Sequence, residues 1–548
     1  MARYWLSLTL LLLLAVFSCK KEEVIIEPEP EPEPVSQLRS VKVLSESVIV
    51  EERQTAEFTF SVEDSDFYFD LSKDVVLYNT SLVTPEEYSI IEVRRGTSPG
   101  EYVAVLKDNG LGNLHSIYVR VAIRQDPVKN TYVISNTFRI EGKETETHGI
   151  VLDTGLPVLF LDTQNRARIV SKENYLSASL MIREAGEEYN LDKVTCSVRG
   201  RGNTTWYWPK KPYLVKLDSK SSLFGMPKHK RWVLLANFMD RTLMRNLVAM
   251  KVSSMTSLEW TPRCVPVELV LNGMHQGTYL LIEQVKVDKN RVKITEMTAQ
   301  DNSGEALTGG YLLECDFHYD NEVQWMDPHG NCVQFEEGIP FGVKYPDPED
   351  LTQEQLAYIQ DYIYSTGEAL YGPDFTDPEK GYPAYIDVDS FIDYWIVFEV
   401  MGNHELGNPG SVYFHKDRGG KLKAGPCWDF DWGVLSYYTS PQARTGLVNG
   451  HAIWYDRLFQ DPSFKEKVKA RFQELLPQLA TIPDYIDETE KQLTQSAALN
   501  FNMWNPAEDA SMNGGQIING DEKLTFHSAV TRLKANYQER LVVIPKSL

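Results

Sequence analysis

Asn403-His404-Glu405 and Trp428-Asp429-Phe430-Asp431-Trp432 lie on either side of a predicted hairpin, whose first strand covers residues 411–415 and whose turn contains Gly419-Gly420. Phosphoryl transfer needs two carboxylates of this kind, one to orient the attacking hydroxyl and one to hold a metal ion against the phosphate. A structural interpretation is also open, because buried carboxylates are often neutralised by Arg or Lys. The surrounding sequence has to distinguish the two interpretations.

Length and charge limit the classes of protein to consider. The chain has 548 residues, of which 42% are hydrophobic and 24% are charged, so it has enough apolar material for more than one folded domain. Its formal net charge of -22 opposes binding to the phosphate backbone of nucleic acids. We therefore expect no nucleic acid partner.

The first residues predict export and membrane anchoring. Arg3 precedes an apolar run at residues 5–17 that is too short to span a bilayer and has the length of a signal sequence core. Ser18-Cys19 resembles a lipobox, so residues 1–18 are predicted to be a lipoprotein signal peptide and Cys19 to be lipidated. The charged residues 20–23 resemble a surface-sorting signal, which favours an extracytoplasmic lipoprotein at the outer membrane or cell surface. The alternative is an ordinary signal peptide followed by an incidental Cys.

Residues 19–36 form an acidic Glu-Pro segment. Glu and Pro alternate from Glu27 to Pro34, a pattern that favours an extended polyproline II conformation and opposes packing. We expect this segment to be a tether between the membrane and the folded part of the chain.

Residues 37–145 are predicted to be an all-β sandwich of immunoglobulin-like type. Polar and apolar residues alternate at 56–62 and 117–123, and Asn109-Gly110 is a turn signal. No cluster of titratable residues in this region indicates chemistry, so a spacing or binding role is expected.

Residues 146–548 are predicted to be an α+β domain with two lobes. Short strands such as 213–217 and 265–271 indicate a strand-rich lobe at about residues 146–345. Longer helical patterns at 351–366 and 386–402, and the Asp461-Pro462 helix start, indicate a helical lobe at about residues 346–548. This order of elements is typical of an atypical protein-kinase-like fold, although other two-lobed enzymes share it.

Seven short motifs make the comparison specific, and they occur in a fixed order along the chain. They are Arg199-Gly200-Arg201-Gly202-Asn203-Thr204-Thr205-Trp206, Lys210-Lys211-Pro212-Tyr213, Trp232-Val233-Leu234-Leu235-Ala236-Asn237, Asp240 with Leu243-Met244-Arg245-Asn246, Gly277-Thr278-Tyr279-Leu280-Leu281-Ile282-Glu283, Gly309-Gly310-Tyr311-Leu312-Leu313-Glu314 and Trp428-Asp429-Phe430-Asp431. Together they resemble the CotH kinase-like family, named for a spore-coat protein, over roughly residues 150–510. The resemblance implies an atypical kinase that uses ATP and a divalent metal to phosphorylate Ser or Thr of a protein.

The resemblance also implies roles for the acidic residues. Asp429 matches the metal-binding Asp of the family, and Asp431 is a second candidate ligand for Mg²⁺ or Mn²⁺. The other catalytic acid of the family is an Asp, and the matching position here is Glu405. Glutamate carries the same charge on a longer side chain, and a displacement of about 1 Å can lower the rate of positioned chemistry ~10²-fold. Either the backbone compensates for Glu405, or transfer activity has been lost.

Four residues are candidates for binding the nucleotide. Asn408 has an amide suited to the metal or phosphate, with a turn role as the alternative. Lys216 is the preferred phosphate cation because strand alternation places it with Leu214 on a face from which its ammonium group can reach a cleft. A surface lysine is the alternative interpretation, and Lys344 is the rival of Lys216 for the cation role. Arg245 is either a second phosphate clamp or the partner of a structural carboxylate. The glycines of residues 199–206 favour a tight turn, with phosphate contact as an open alternative.

These patterns predict a surface lipoprotein that transfers phosphate from ATP to an exported or surface protein. Two other functions remain open. The first is an inactive kinase-like scaffold for binding or adhesion, which the Glu405 substitution favours. The second is a glycan-handling protein that uses paired carboxylates and exposed tryptophans, among them Trp206, Trp208, Trp454 and Trp504.

Overall fold

The computed structural model describes residues 40–51, 55–63, 69–78, 88–108, 117–126, 131–143, 152–318, 323–333, 335–436, 445–504, 520–521 and 523–548. The predicted signal peptide, the Glu-Pro tether and Cys19 lie outside these residues. The chain divides into two compact units, one formed mainly by residues up to Glu141 and the other mainly by Gly142–Leu548.

The first unit is rich in β-structure. Its strands are β1 (Ser40–Val43), β2 (Ser47–Glu51), β3 (Thr55–Glu63), β4 (Val75–Tyr78), β5 (Tyr88–Arg95), β6 (Glu101–Asp108), β7 (Ile117–Asp126), β8 (Thr131–Ile134) and β9 (Phe138–Lys143). They form one sheet in the order β1-β3-β6-β5 and another in the order β2-β9-β7-β4, with β8 paired to β7. Alternate residues of β3, such as Phe58 and Phe60, are buried, and the Phe58 ring lies 5.0 Å from that of Phe138 on the other sheet. The inner faces of the two sheets thus share a hydrophobic core.

The second unit begins with a closed barrel. Its strands are β10 (Val158–Thr163), β11 (Leu176–Arg183), β12 (Leu191–Gly200), β13 (Tyr213–Ser221), β14 (His229–Leu235), β15 (Cys264–Leu271) and β16 (Met274–Glu283). The order around the barrel is β10-β11-β12-β13-β14-β16-β15, and parallel pairing of β15 with β10 closes it. A short 3-10 helix (Gln164–Arg166) and two α-helices, α1 (Thr204–Tyr207) and α2 (Arg245–Ser253), lie in the connections.

Strand alternation divides the barrel residues between two cores. On β13, Tyr213, Val215 and Leu217 join the core that fills the barrel, whereas Leu214 joins the main core of the second unit. The barrel therefore presents an apolar outer face to the rest of its unit, in addition to a packed interior.

A five-stranded antiparallel sheet, which we call the β17–β21 sheet, follows the barrel. It contains β17 (Tyr311–Cys315), β18 (Gln324–Asp327), β19 (Ile339–Tyr345), β20 (Val412–Lys416) and β21 (Leu422–Ala424), in the order β18-β19-β17-β20-β21, and helix α3 (Gly304–Leu307) precedes it. The lobe boundary predicted near residue 345 falls inside this sheet, because β17 pairs with β19 on one side and with β20 on the other. The sheet thus joins strands from both sides of the predicted boundary.

Helices pack against the β17–β21 sheet and the barrel, and they complete the second unit. They are α4 (Gln353–Tyr371), α5 (Tyr382–Tyr385), α6 (Val388–Val400), α7 (Tyr455–Leu458), α8 (Pro462–Leu479), α9 (Ile482–Met503) and α10 (Phe526–Ser547). Asp461 caps α8 by accepting a hydrogen bond from the Ser463 N–H, and Pro462 occupies the first turn, which confirms the predicted helix start. No helix among the described residues is long and apolar enough to cross a membrane. The chain thus has the mixed α+β composition expected from its sequence.

Candidate functional site

A cavity of about 570 Å³ lies between the barrel and the β17–β21 sheet. Strands β12, β13 and β14 form one wall, β17 and β19 form another, and the segments 404–411 and 428–432 complete it. The volume lies within the range of small-molecule sites in proteins. All of these walls belong to the second unit.

The two acidic segments meet in this cavity. Glu405, Asp429 and Asp431 all line it, together with Asn408 and with Asp316 at the end of β17. The sequence predicted the first four as site residues, and the structure brings them together.

Asn403 connects the two acidic segments directly. Its side-chain oxygen accepts a hydrogen bond from the Glu405 N–H at 2.9 Å, and its side-chain amide donates to the Asp429 carbonyl at 3.3 Å. Asn403 has no exposed surface, and its own carbonyl accepts a hydrogen bond from the Asn449 side chain at 2.8 Å. One buried amide therefore sets the separation of the two acidic segments.

The backbone at Asp429 is held in an uncommon conformation. Its φ of 64° lies in the left-handed region, which non-glycine residues rarely adopt. The next N–H, that of Phe430, donates to the Asn246 side chain at 2.8 Å, and the Arg201 guanidinium lies 5.6 Å from the Trp428 ring centroid. Such strain persists where surrounding contacts hold it, and it is frequent at functional sites.

The acidic side chains repel one another electrostatically. Burial, followed by the charges of Asp429, Asp431 and Asp316, raises the pKa of Glu405 well above its usual range. Burial, followed by the neighbouring Asp429, also raises the pKa of Asp431. Carboxylates this close together need either protons or a cation.

The donor atoms fit a divalent cation that is bound jointly with a ligand. Among the described residues, Glu405 Oε2 and Asn408 Oδ1 are buried without a hydrogen-bond partner, and both are hard oxygen donors. No group of three or more His, Cys, Asp or Glu side chains in the described chain is already arranged as a complete metal site. Mg²⁺ usually binds to one or two carboxylates, with substrate phosphates and water supplying the remaining ligands.

The cavity lining also contains basic side chains. Arg199, Arg201 and Arg231 line it from the barrel side, and Lys344 lines it from β19. Lys344 Nζ lies 3.0 Å from Glu314 Oε2 on the neighbouring strand β17, so a lysine is held at the cavity wall by an ion pair. The cavity lining thus combines carboxylates with cations.

Two predicted nucleotide-binding residues lie elsewhere. Lys216 is two residues beyond the cavity-lining Leu214 on β13, and it does not line the cavity. Arg245 is completely buried, pairs with Asp240 and with Asp521 at 2.6 Å, and donates from Nε to the Val434 carbonyl. Its structural pairing, one of the two roles considered from sequence, replaces the predicted contact with phosphate.

Several cavity residues were missed or undervalued in the sequence. The loop glycines favoured a turn, yet Arg201, Gly202 and Asn203 line the cavity. Asn403 lies two residues before Glu405, but its bridging role cannot be predicted from the local sequence, because its partner Asp429 is 26 positions away. Of the four tryptophans considered as platforms for a glycan, Trp208, Trp454 and Trp504 are buried, whereas Trp206 is half-buried.

The family model for CotH kinase protein matches residues 198–544, more than half of the chain. The chain belongs to the CotH family. The resemblance inferred from the seven motifs is thereby confirmed, and the cavity with its carboxylates lies within the CotH region. No curated protein matches this CotH chain.

Two of the solved structures that match this CotH chain show weak similarity to it. Domains 4 and 5 of the S-layer protein SbsC align with 19% of this chain and 51% of theirs, at 16% identity and a TM-score of 0.13. A chain from a structure of T cell activation by the bacterial superantigen toxic shock syndrome toxin-1 aligns with 19% of this chain and 98% of its own, at 9% identity and a TM-score of 0.13. The chain spans about half the length of the SbsC structure, and these scores carry no argument about fold or function.

Proposed function

We propose that this CotH-family protein is an atypical protein kinase that transfers the γ-phosphate of ATP to a Ser or Thr hydroxyl of an exported or surface protein. The observation that carries the proposal is the convergence of Glu405 and Asp429 on one cavity, with Asn403 joining their segments. In this proposal the barrel forms one of the two lobes of a kinase-like domain, and the β17–β21 sheet with its helices forms the other.

Each side of the cavity has a role in the proposed reaction. Asp429, with Asp431 as a second ligand, holds Mg²⁺ or Mn²⁺, which when bound neutralises charge on the phosphates. Asn408 contributes its unpaired side-chain oxygen to the same ion. Glu405 accepts a hydrogen bond from the acceptor hydroxyl and orients it towards the phosphate. Lys344 and Arg201 take the phosphate-binding role first predicted for Lys216 and Arg245.

The proposed location is the outer membrane or cell surface, through lipidated Cys19. The lipobox-like Ser18-Cys19 and the Glu-Pro segment after it support this proposal. Replacing Cys19 with Ser is expected to move the protein from the membrane fraction to the soluble fraction, and unchanged membrane retention would contradict the anchor.

An inactive binding scaffold is the second candidate function. It is favoured by Glu405, which stands where the family has Asp. A scaffold with no remaining nucleotide site shows no change in melting temperature with ATP. A working site saturated at ~100 times Kd is stabilised by about 2.7 kcal/mol, provided that Mg²⁺ is present.

Transfer of labelled phosphate tests the catalytic proposal. The mature protein is incubated with γ-labelled ATP, Mn²⁺ and exported proteins, alongside Asp429→Asn and Glu405→Gln. Each variant is expected to lower the transfer rate at least ~10²-fold, because each removes a charge that acts in the transition state.

Glu466→Gln is the matched control for these variants, because Glu466 is an exposed carboxylate of α8. It is expected to transfer phosphate like the wild type. Transfer that survives Asp429→Asn would remove Asp429 from its proposed role, and nucleotide stabilisation without any transfer would favour the scaffold.

A further inference from the structure

Three cationic residues gather on neighbouring strands at the edge of the cavity. Arg199 lies on β12, Lys216 on β13 and Arg231 on β14, and Lys216 is directly opposite Arg231 in the strand register. Arg199 is paired with Leu214, two residues from Lys216, and so occupies the diagonal position. The three side chains therefore share the outer face of the barrel, and we call them, with Tyr175, the Tyr175 patch.

Tyr175 organises the three cations. Its ring centroid lies 5.2 Å from the Arg199 guanidinium carbon and 5.9 Å from Lys216 Nζ, and its hydroxyl accepts a hydrogen bond from Arg231 Nη1 at 3.1 Å. Cation–π contacts and a hydrogen bond thus hold like charges around one half-buried ring. The three cations are therefore held in a fixed arrangement by contacts within the protein.

The patch lacks the carboxylates that normally accompany such charges. Like charges opposite each other across two strands destabilise a sheet, and the chain as a whole carries a net charge of -22. Among the described residues, none of the three cations forms an ion pair with Asp or Glu, and Arg199 Nε is buried without a hydrogen-bond partner. An external anion would satisfy both the charge and the unpaired donor.

The position of the patch indicates a long ligand. Arg199 and Arg231 line the cavity that holds Glu405 and Asp429, whereas Lys216 lies outside the lining. A ligand that spans the patch therefore extends from the cavity onto the barrel face. Opposite Cβ atoms lie about 5 Å apart and diagonal ones about 7–8 Å apart. In an extended peptide, every second side chain repeats at about 6.6 Å.

We infer that the Tyr175 patch binds an acidic segment of the acceptor polypeptide, with carboxylates at alternate positions beside the Ser or Thr that enters the cavity. This inference rests on the proposed kinase function for the direction of the peptide, but the binding itself does not require transfer. It assigns the acceptor to a chemical class, namely an extended acidic sequence around a hydroxyl residue.

Peptide binding tests the inference without measuring catalysis. The mature protein is titrated, without nucleotide, into a labelled peptide that has one central Ser and alternating Glu residues, with fluorescence anisotropy as the readout. The same peptide with Gln in place of Glu is the ligand control. The Glu peptide is expected to bind at least about tenfold more tightly than the Gln peptide, and high salt is expected to weaken its binding.

In the triple variant Arg199→Gln, Lys216→Gln, Arg231→Gln, the ratio of the affinities for the Glu and Gln peptides is expected to fall at least about tenfold. The matched control replaces the exposed Lys467, Lys491 and Lys523 with Gln, which changes net charge equally and is expected to keep the preference. Tyr175→Phe, which removes the hydroxyl that holds Arg231, provides a milder variant in case the triple variant misfolds, and a smaller loss of preference is expected.

Three results would overturn the inference. The first is equal binding of the Glu and Gln peptides, and the second is full retention of the preference in the triple variant or in Tyr175→Phe. The third is a triple variant that is no longer stabilised by Mg²⁺ and ATP, combined with displacement of the peptide by ATP from the wild-type protein. The last result would assign the patch to the nucleotide. Charge-dependent peptide binding in a protein that transfers no phosphate would support the patch and reject the kinase proposal separately.

Discussion

Asn403 acts on the acidic pair without contacting solvent. It is completely buried and joins the Glu405 N–H to the Asp429 carbonyl, so any change in its side chain alters both acidic segments together. Its partner Asn449 is itself anchored, because Glu399 accepts hydrogen bonds from Asn449 and pairs with Arg540. The site therefore depends on a chain of buried polar groups behind it.

Asn403→Ala is expected to lower the free energy of unfolding by about 1–3 kcal/mol, because it leaves buried polar groups without partners. It is also expected to reduce phosphate transfer. Asn403→Asp retains the acceptor for the Glu405 N–H, but it loses the donor to Asp429 and adds a buried carboxyl group to an already acidic site, so a loss of stability at least as large is expected. Denaturant unfolding and labelled transfer measure the two effects, and an Asn403→Ala protein with wild-type stability and transfer would contradict the bridging role.

Arg245 makes a different contribution from the one expected of a phosphate ligand. Arg245→Met is expected to reduce the free energy of unfolding by about 3–5 kcal/mol, because Asp240 and Asp521 are then buried without their cation. Arg94→Gln is the control, since Arg94 pairs with Glu57 at the surface, where solvent screens the pair and little effect on stability is expected. Equal losses in the two variants, measured by chemical denaturation, would contradict this role.

At the scale of elements, strand β14 contains a pH-sensitive contact at its first residue. Burial, followed by the nearby Arg291 guanidinium, lowers the pKa of His229 to about 4. The Arg231 N–H donates to His229 Nδ1 at 2.9 Å, so the ring accepts this bond only while Nδ1 carries no proton.

His229 is expected to make the folded state less stable as pH falls from about 6.5 to about 4. In that range the unfolded chain binds a proton at His229, whose unfolded pKa is about 6.5, and the folded chain does not. Stability from this residue is fully present above pH ~6.5 and is lost as pH decreases. Thermal unfolding across this range, compared with His229→Gln, measures the difference. A pH dependence that is identical in the two proteins would contradict the assignment.

Strand β13 shows what the period-two alternation of a strand predicts and what it leaves undetermined. Alternation correctly predicts that Tyr213, Val215 and Leu217 share one face and that Leu214 and Lys216 share the other. It does not predict where along that face the cavity ends. Because the cavity includes Leu214 and stops before Lys216, the role of Lys216 depends on the packing of the barrel against the β17–β21 sheet.

At the scale of the whole molecule, each unit has hydrophobic cores of its own. One core contains buried residues from Val41 to Ile140, and the two larger cores of the second unit contain residues from Leu156 to Leu548. A folded domain requires such a core.

A protein consisting of residues 146–548 is therefore expected to unfold cooperatively by itself. Calorimetry of the mature chain is expected to show a transition with the same midpoint, plus a second one that the shorter protein lacks. Failure of the shorter protein to fold, or a shifted midpoint for its transition, would show that the cores depend on each other.

The sequence by itself determined the mixed α+β composition, the CotH family and the acidic residues of the site. These are local properties, because periodicity, helix caps and short motifs depend on neighbouring residues. The Trp428-Asp429-Phe430-Asp431 motif identified its carboxylates without any knowledge of the fold.

Only the tertiary structure decided which cations face those carboxylates and which are consumed by structural pairs. Arg245 meets Asp521 across 276 positions of sequence, Asn403 meets Asp429 across 26, and Arg199, Lys216 and Arg231 meet at Tyr175 from separate strands. A cation has no sequence signature for its partner, because electrostatic interaction depends on distance and burial in space. The distances and the burial of these side chains are set only when the barrel closes and packs against the β17–β21 sheet.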